Sequence, residues 1–138
     1  MANKVSKVKY CYVTTSSRAG QGAQVLEVLA DADIDLLAVT GFPTKGGKAQ
    51  IDLIGDDMAA IRRVARENGW RLSKIKKAFL IQGDDRVGAV YRQLQKLADK
   101  RINVTATNAV CAGKGRYGML LWVKPKDYAR ASKALGAR

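Results

Sequence analysis

The side chains with the greatest chemical potential fall into three groups. Asp56-Asp57 and Asp84-Asp85 are adjacent acid pairs, Cys11 and Cys111 are the two thiols, and two polar turns, Ser17-Arg18-Ala19-Gly20 and Asp85-Arg86-Val87-Gly88, precede periodic apolar stretches. Neighbouring acids do not face each other on a regular backbone, so neither pair reads as a catalytic carboxylate couple. The 138 residues include no histidine. A tetrahedral zinc site, an imidazole acid/base pair and a Ser/His/Asp triad are therefore outside this chain's reach. Gly47-Lys48 and Gly113-Lys114 lack the glycine-rich run of a phosphate loop. The expectation is a protein that is not an enzyme, with no catalytic residue, no metal ligand set and no cofactor.

Cys11 and Cys111 lie a hundred positions apart in apolar or small-residue surroundings, where a reduced thiol behaves as a small hydrophobe. The opening MANKVSKVKYCYV carries charge where a signal peptide needs an apolar run, and no stretch approaches the roughly 18 apolar residues of a membrane span. A soluble, cytoplasmic protein without membrane contact is expected. Hydrophobic residues make up 47% of the chain, enough for a packed core.

The net charge is +13. Residues 1–74 hold 11 Lys/Arg against 8 Asp/Glu, whereas residues 75–138 hold 14 against 4. A basic excess suits a polyanion, but here the cations are dispersed rather than run together, and solvated faces account for most of them.

The element order follows from an internal repeat. Displaced by 68 positions, the chain superimposes Arg18 on Arg86, Gly20 on Gly88, Leu26 on Leu94, Leu29 on Leu97, Ala30 on Ala98 and Asp31 on Asp99. The same register matches Ile34 with Ile102, Ala38 with Ala106, Gly47 with Gly115 and Leu53 with Leu121. Two units are expected, over residues 1–74 and 75–138. In each, a strand (8–14; 78–82) leads through the polar turn to a helix with Ala19, Ala23, Leu26 and Leu29, or Val87, Val90, Leu94 and Leu97, on its apolar face. Ser17 and Asp85 stand where helix caps are expected. A hairpin follows (34–42 with 49–54; 102–110 with 117–123), then a second helix (57–68; 126–135), the first of these ending at Gly69. Residues 70–75 supply a fourth strand in the first unit, and the second has no such segment. The fold class is α+β: tandem ferredoxin-like βαββαβ units, each an antiparallel sheet with its helices on one face, the second unit lacking its last strand. Units of about 65 residues sit near the lower limit for a self-sufficient core, and the first strand of the second unit is left as an edge for a neighbour to cover.

At the paired turns Ser17-Arg18-Ala19-Gly20 and Asp85-Arg86-Val87-Gly88 the chain resembles the ACT domain family, in which a D-R-x-G or D-x-P-G turn follows strand one. The approach to strand two, Ala32-Asp33-Ile34-Asp35 and Lys100-Arg101-Ile102-Asn103, is similar to that family's G-I-N-like turn. The likeness covers nearly the whole chain as a tandem pair, of the stand-alone type. It implies a regulatory protein that binds an amino acid or related metabolite at an interface between units, forms a homodimer and passes its signal to a protein target. The ligand role falls by resemblance on Ser17, Arg18, Ala19, Gly20 and Asp35, and on Asp85, Arg86, Val87, Gly88 and Asn103. The second set keeps the family's Asp and Asn, and is the better candidate. Physically, helix-start N–H groups suit a carboxylate, glycine admits close approach, and Asp35 or Asn103 could accept from an ammonium.

The rival reading is a nucleic-acid-binding sheet. Lys114-Gly115-Arg116-Tyr117-Gly118 imitates the start of an RNA-recognition motif, but Arg116 and Gly118 occupy the stacking positions, and Tyr117 and Trp122 fall on opposite faces of a regular strand.

Overall fold

A computed structural model describes residues 3–138. The element order is β1 (Lys4–Ser16), α1 (Gln21–Asp31), β2 (Ala38–Thr44), β3 (Lys48–Gly55), α2 (Met58–Glu67), β4 (Lys76–Asp84), α3 (Ala89–Ala98), β5 (Val104–Gly113), β6 (Arg116–Val123), a 3-10 turn (Pro125–Asp127) and α4 (Tyr128–Leu135). The expected α+β architecture of antiparallel strands and helices is observed.

The chain divides into two compact units. The first spans residues 9–76, and the second joins residues 77–138 to the segment ending at Val8. Strand β1 therefore gives its first residues to the second unit and the remainder to the first.

In the first unit β3 lies between β2 and β1, antiparallel to both. Alternation along β1 and β3 turns Cys11, Val13, Ile51 and Leu53 into a core with Val25 and Leu29 of α1 and Met58, Ile61 and Val64 of α2. Helix α2 is capped by Asp57, whose Oδ1 accepts from Ala60 N at 3.0 Å. It ends with Gly69 at φ 69, the left-handed position where a side chain would be strained. The fourth strand expected over 70–75 is reduced to a single bridge, Leu72 opposite Val13. Ser73 reinforces it, its N–H donating to Tyr12 O and its hydroxyl accepting from Tyr12 N, both at 2.9 Å.

In the second unit β6 lies between β4 and β5, again antiparallel to both. Phe79, Ile81, Tyr117, Met119 and Leu121 pack with Leu97 of α3 and Ala131 and Leu135 of α4. Val5 enters this core, and Arg138 N donates to Val5 O at 3.0 Å while Lys7 N donates to Arg138 O at 3.3 Å. Tyr128 stacks on Phe79, with ring centroids 4.5 Å apart, and its hydroxyl donates to Ala78 O at 2.9 Å.

The 68-residue register recurs in backbone detail. Asp33 and Arg101 are matched residues with φ 58 and φ 56. Ile34 N donates to Leu29 O and Ile102 N to Leu97 O, each at 3.0 Å. Ser17 N reaches Gly47 O at 2.9 Å, and Asp85 N reaches Gly115 O at 2.8 Å. Duplicated sequence has produced duplicated turns.

Two expectations about the first helix of each unit are corrected. Ser17 and Asp85 do not cap. The N-cap residues are Gly20 and Gly88, both left-handed, and no side chain caps either helix. Because the helices begin at Gln21 and Ala89, Ala19 and Val87 precede them, while Leu29 of α1 and Val90, Leu94 and Leu97 of α3 turn to the cores as expected. Val25 and Leu29 are buried in α1, and Ala89, Gln93 and Leu97 in α3, while Leu26 and Val87 are exposed.

A candidate ligand site at the start of helix α3

Asp85, Arg86, Val87 and Gly88 form the turn from β4 into α3. Gly88, at φ 83, reverses the chain so that α3 starts at Ala89, with Ala89 N on Arg86 O and Arg92 N on Gly88 O, both at 3.0 Å. An open depression of about 330 Å³ lies against this turn, lined by Asp85, Arg86 and Gly88 and by Val110, Cys111 and Tyr117 of the β5–β6 hairpin. Val87 does not line it and is 98% exposed.

Asp85 Oδ2 accepts from Cys111 Sγ at 3.1 Å. That bond to a carboxylate, and then its negative charge, push the Cys111 thiol above its ordinary range. Cys111 is exposed and so departs from the expected small buried hydrophobe, whereas Cys11 is fully buried as expected. Beside the turn Asp84 pairs with Arg116 at 2.7 Å and more distantly with Arg86 at 3.9 Å.

Tyr117 is the residue that sequence reasoning missed as a site component. It is only 4% exposed, and its hydroxyl has no hydrogen-bond partner among the described residues. The ring lies against Gly83, where an added Cβ would come within 2.8 Å of Tyr117 Cε1. Gln93, one helical turn past Ala89, is also buried with an unpartnered amide nitrogen. The first unit has Ala49 and Val25 at the two matching positions. That substitution of polar for apolar groups was visible in the repeat register and is the signal that could have exposed the site.

The matching turn of the first unit, Ser17, Arg18, Ala19 and Gly20, is wholly exposed, with Gly20 at φ 88. Arg18 Nε donates to Ser16 Oγ at 3.4 Å.

Neither Asp35 nor Asn103 joins its turn within a unit. Ser16 and Lys48 are cross-strand partners at one end of β3, while Asp35 precedes β2 at the Ile54 end. There Asp35 Oδ1 accepts from Leu36 N at 3.0 Å. Asn103 likewise precedes β5 at the Val123 end of β6, and Asp84 pairs at the Arg116 end. At about 3.4 Å per residue along a strand, the seven steps of β3 or β6 separate the two groups by more than 20 Å.

On β6, Tyr117 belongs to the helix-facing core and Trp122 is buried outside that cluster. Neither ring is free to stack on a base, so the nucleic-acid reading is not favoured. Among the described residues no group of three or more metal-ligating side chains converges, and no helix is long and apolar enough to cross a membrane.

No family model and no curated protein matches the chain. Solved structures do. A protein from Bacteroides thetaiotaomicron superimposes with a TM-score of 0.74 at 17% identity, over 95% of this chain and 88% of that one. The regulatory subunit of aspartate kinase from Thermus thermophilus, in a ligand-free form, gives 0.62 at 14% identity, over 98% and 93%. That from Thermus flavus gives 0.60 at 15%, over 98% and 94%. At such identities the likeness establishes the fold: the tandem ACT-like architecture expected from the paired turns is the one these structures share.

Proposed function

We propose that this chain is a non-catalytic regulatory protein whose second unit binds an amino acid or closely related metabolite in the depression at the start of α3. The observation that carries the reading is the uncapped start of α3 beside Asp85 in this depression, which Tyr117, with its buried and unpartnered hydroxyl, also lines. Leaving a buried polar group unsatisfied costs about 1–3 kcal/mol, so a ligand that draws the Tyr117 hydroxyl out to itself recovers that energy. The left-handed Gly88 leaves the first-turn N–H groups without a side-chain cap, a position suited to a carboxylate. Asp85, now held by a thiol, has the charge to accept an ammonium instead. Gly88, Asp85 and Tyr117 would thus read a zwitterion and one polar atom beyond it. The regulatory subunits among the structural neighbours support a signalling rather than a catalytic role.

Homodimer formation belongs to the same reading. Strand β5 ends the strand order and is exposed along nearly its whole length. Val110 at 68% and Tyr91 at 65% exposure put apolar surface on the rim of the depression. A second copy pairing along β5 would cover that rim and the bound ligand.

Thermal melting against a panel of amino acids tests the ligand. Anything that binds only the folded state stabilises it by RT ln(1 + [L]/Kd), so a match at a hundredfold excess over Kd adds about 2.7 kcal/mol. The expected shift is lost in Asp85→Ala and reduced in Tyr117→Phe. A flat panel at millimolar concentration, or a shift unchanged in both variants, would remove the proposal.

A further inference from the structure

One of the cross-strand pairs that differ between the two units leaves a cation without an acidic partner. In the second unit Asp84 stands opposite Arg116, and they bond at 2.7 Å. In the first unit the matching residues, 68 positions earlier, are Ser16 and Lys48, which occupy the same cross-strand relation. The carboxylate has become a hydroxyl while the positive charge is kept. No acidic side chain among the described residues pairs with Lys48. Arg71 faces the same space and has no acidic partner either, and Arg18 reaches Ser16 Oγ from the following turn. Here the surface opens into a depression of about 560 Å³, lined also by Thr14 and by the left-handed Gly46 and Gly47, at φ 75 and 70, beside which a Cβ would meet nothing within 4 Å.

We propose that this depression is a second binding site, for the phosphate group of a small phosphorylated metabolite, and that the phosphate takes the place Asp84 holds in the second unit. Arg71 offers a planar fork of donors suited to two phosphate oxygens, and Lys48 a compact point charge. A phosphate monoester carries about −1.5 to −2 charge near neutral pH, which matches the two cations that line the depression, Lys48 and Arg71. Thr14 and Ser16 add hydroxyl donors. The volume leaves room beside the phosphate for the metabolite body.

NMR titration with inorganic phosphate and with glycerol 3-phosphate, at ionic strength held constant with chloride, tests this. Saturable shifts are expected at residues 14–18, 46–48 and 71, with glycerol 3-phosphate the tighter of the two. Lys48→Gln or Arg71→Gln weakens binding about tenfold, equivalent to about 1.4 kcal/mol. Ser16→Asp, which restores the carboxylate of the second unit, abolishes it, whereas Ser16→Asn, similar in size but uncharged, changes it less than about twofold. Should Ser16→Asp fold poorly, the Lys48, Arg71 and Ser16→Asn variants decide alone. Absence of saturation by about 10 mM, equal shifts with chloride, or unchanged affinity in the charge variants would overturn the proposal. Tighter binding of an RNA oligonucleotide, lost through the same substitutions, would overturn the small-metabolite assignment.

Discussion

Under the proposed function, Tyr117 sets stability against binding at one atom. Its ring belongs to the core, yet its hydroxyl has no partner among the described residues. Tyr117→Phe should therefore leave the unliganded protein as stable or more stable, while weakening the ligand; urea unfolding and the melting panel read the two effects separately. Gln93→Val, which copies Val25 of the first unit, should raise stability for the same reason. Gly88→Ala meets no steric obstacle closer than Arg92 at 3.9 Å, but its φ of 83 costs an L-residue about 1–2 kcal/mol, measurable as a lower urea midpoint. Tyr128 supplies a pH handle. Burial pushes its phenol up to about 12, so the fold favours the protonated form over an unfolded chain titrating near 10. That contribution is complete below pH 10 and is lost as pH rises through 12, because the unfolded chain then gives up its proton first. Tyr128→Phe should flatten this alkaline loss while costing about 1 kcal/mol at neutral pH through the missing bond to Ala78 O. The glycines of both turns were legible in the sequence. The burial of Tyr117 was not, since alternation along β6 assigns a face but not whether a polar tip finds a partner.

Among the elements, β1 carries the most consequence. Its first residues belong to the second unit, and Val5→Ala should cost that unit about 2 kcal/mol through the cavity left in the core that Val5 shares with Phe79 and Ile81. Hydrogen exchange would show the loss in β4 and β6 before it reached α1. Strand β5 invites a different test: Val110→Lys places a charge at the centre of the exposed strand and should convert a dimer to monomer by light scattering with little change in melting temperature. The sequence made the strands and second helices legible to within a few residues, because alternation and the Asp57 and Gly69 signals are local. It misassigned Ala19, Ala23, Leu26 and Val87, while Leu29 of α1 and Val90, Leu94 and Leu97 of α3 pack as expected; a left-handed glycine can serve as the N-cap itself, which moves the helix start past the polar residues that resemble caps and leaves Ala19 and Val87 ahead of it. The fourth strand over 70–75 shrank to one bridge because Ser73 answers Tyr12 with a side chain where a continuing ladder would use backbone.

For the molecule as a whole, duplication explains both what repeats and what departs. The turns at Asp33 and Arg101 keep the same left-handed backbone although the residues carry opposite charge, so the fold constrains the conformation there and leaves the side chain free. Charge is where the halves diverge, and two local outcomes of that divergence are Asp84 facing Arg116 and Ser16 facing Lys48. The tandem architecture was readable because ten identities share one register, but the distance of Asp35 and Asn103 from the turns of their own units is something element order does not contain. The division of β1 also sets an order of events during synthesis. The first unit is one continuous stretch, complete once residue 76 has emerged, whereas the second needs Val5 to meet partners some seventy or more positions later. Long-range closure of that kind is slow. A growing chain should therefore fold its first half early and hold the opening residues of β1 waiting, exposed to chaperones and to other nascent chains, until the last half arrives to claim them.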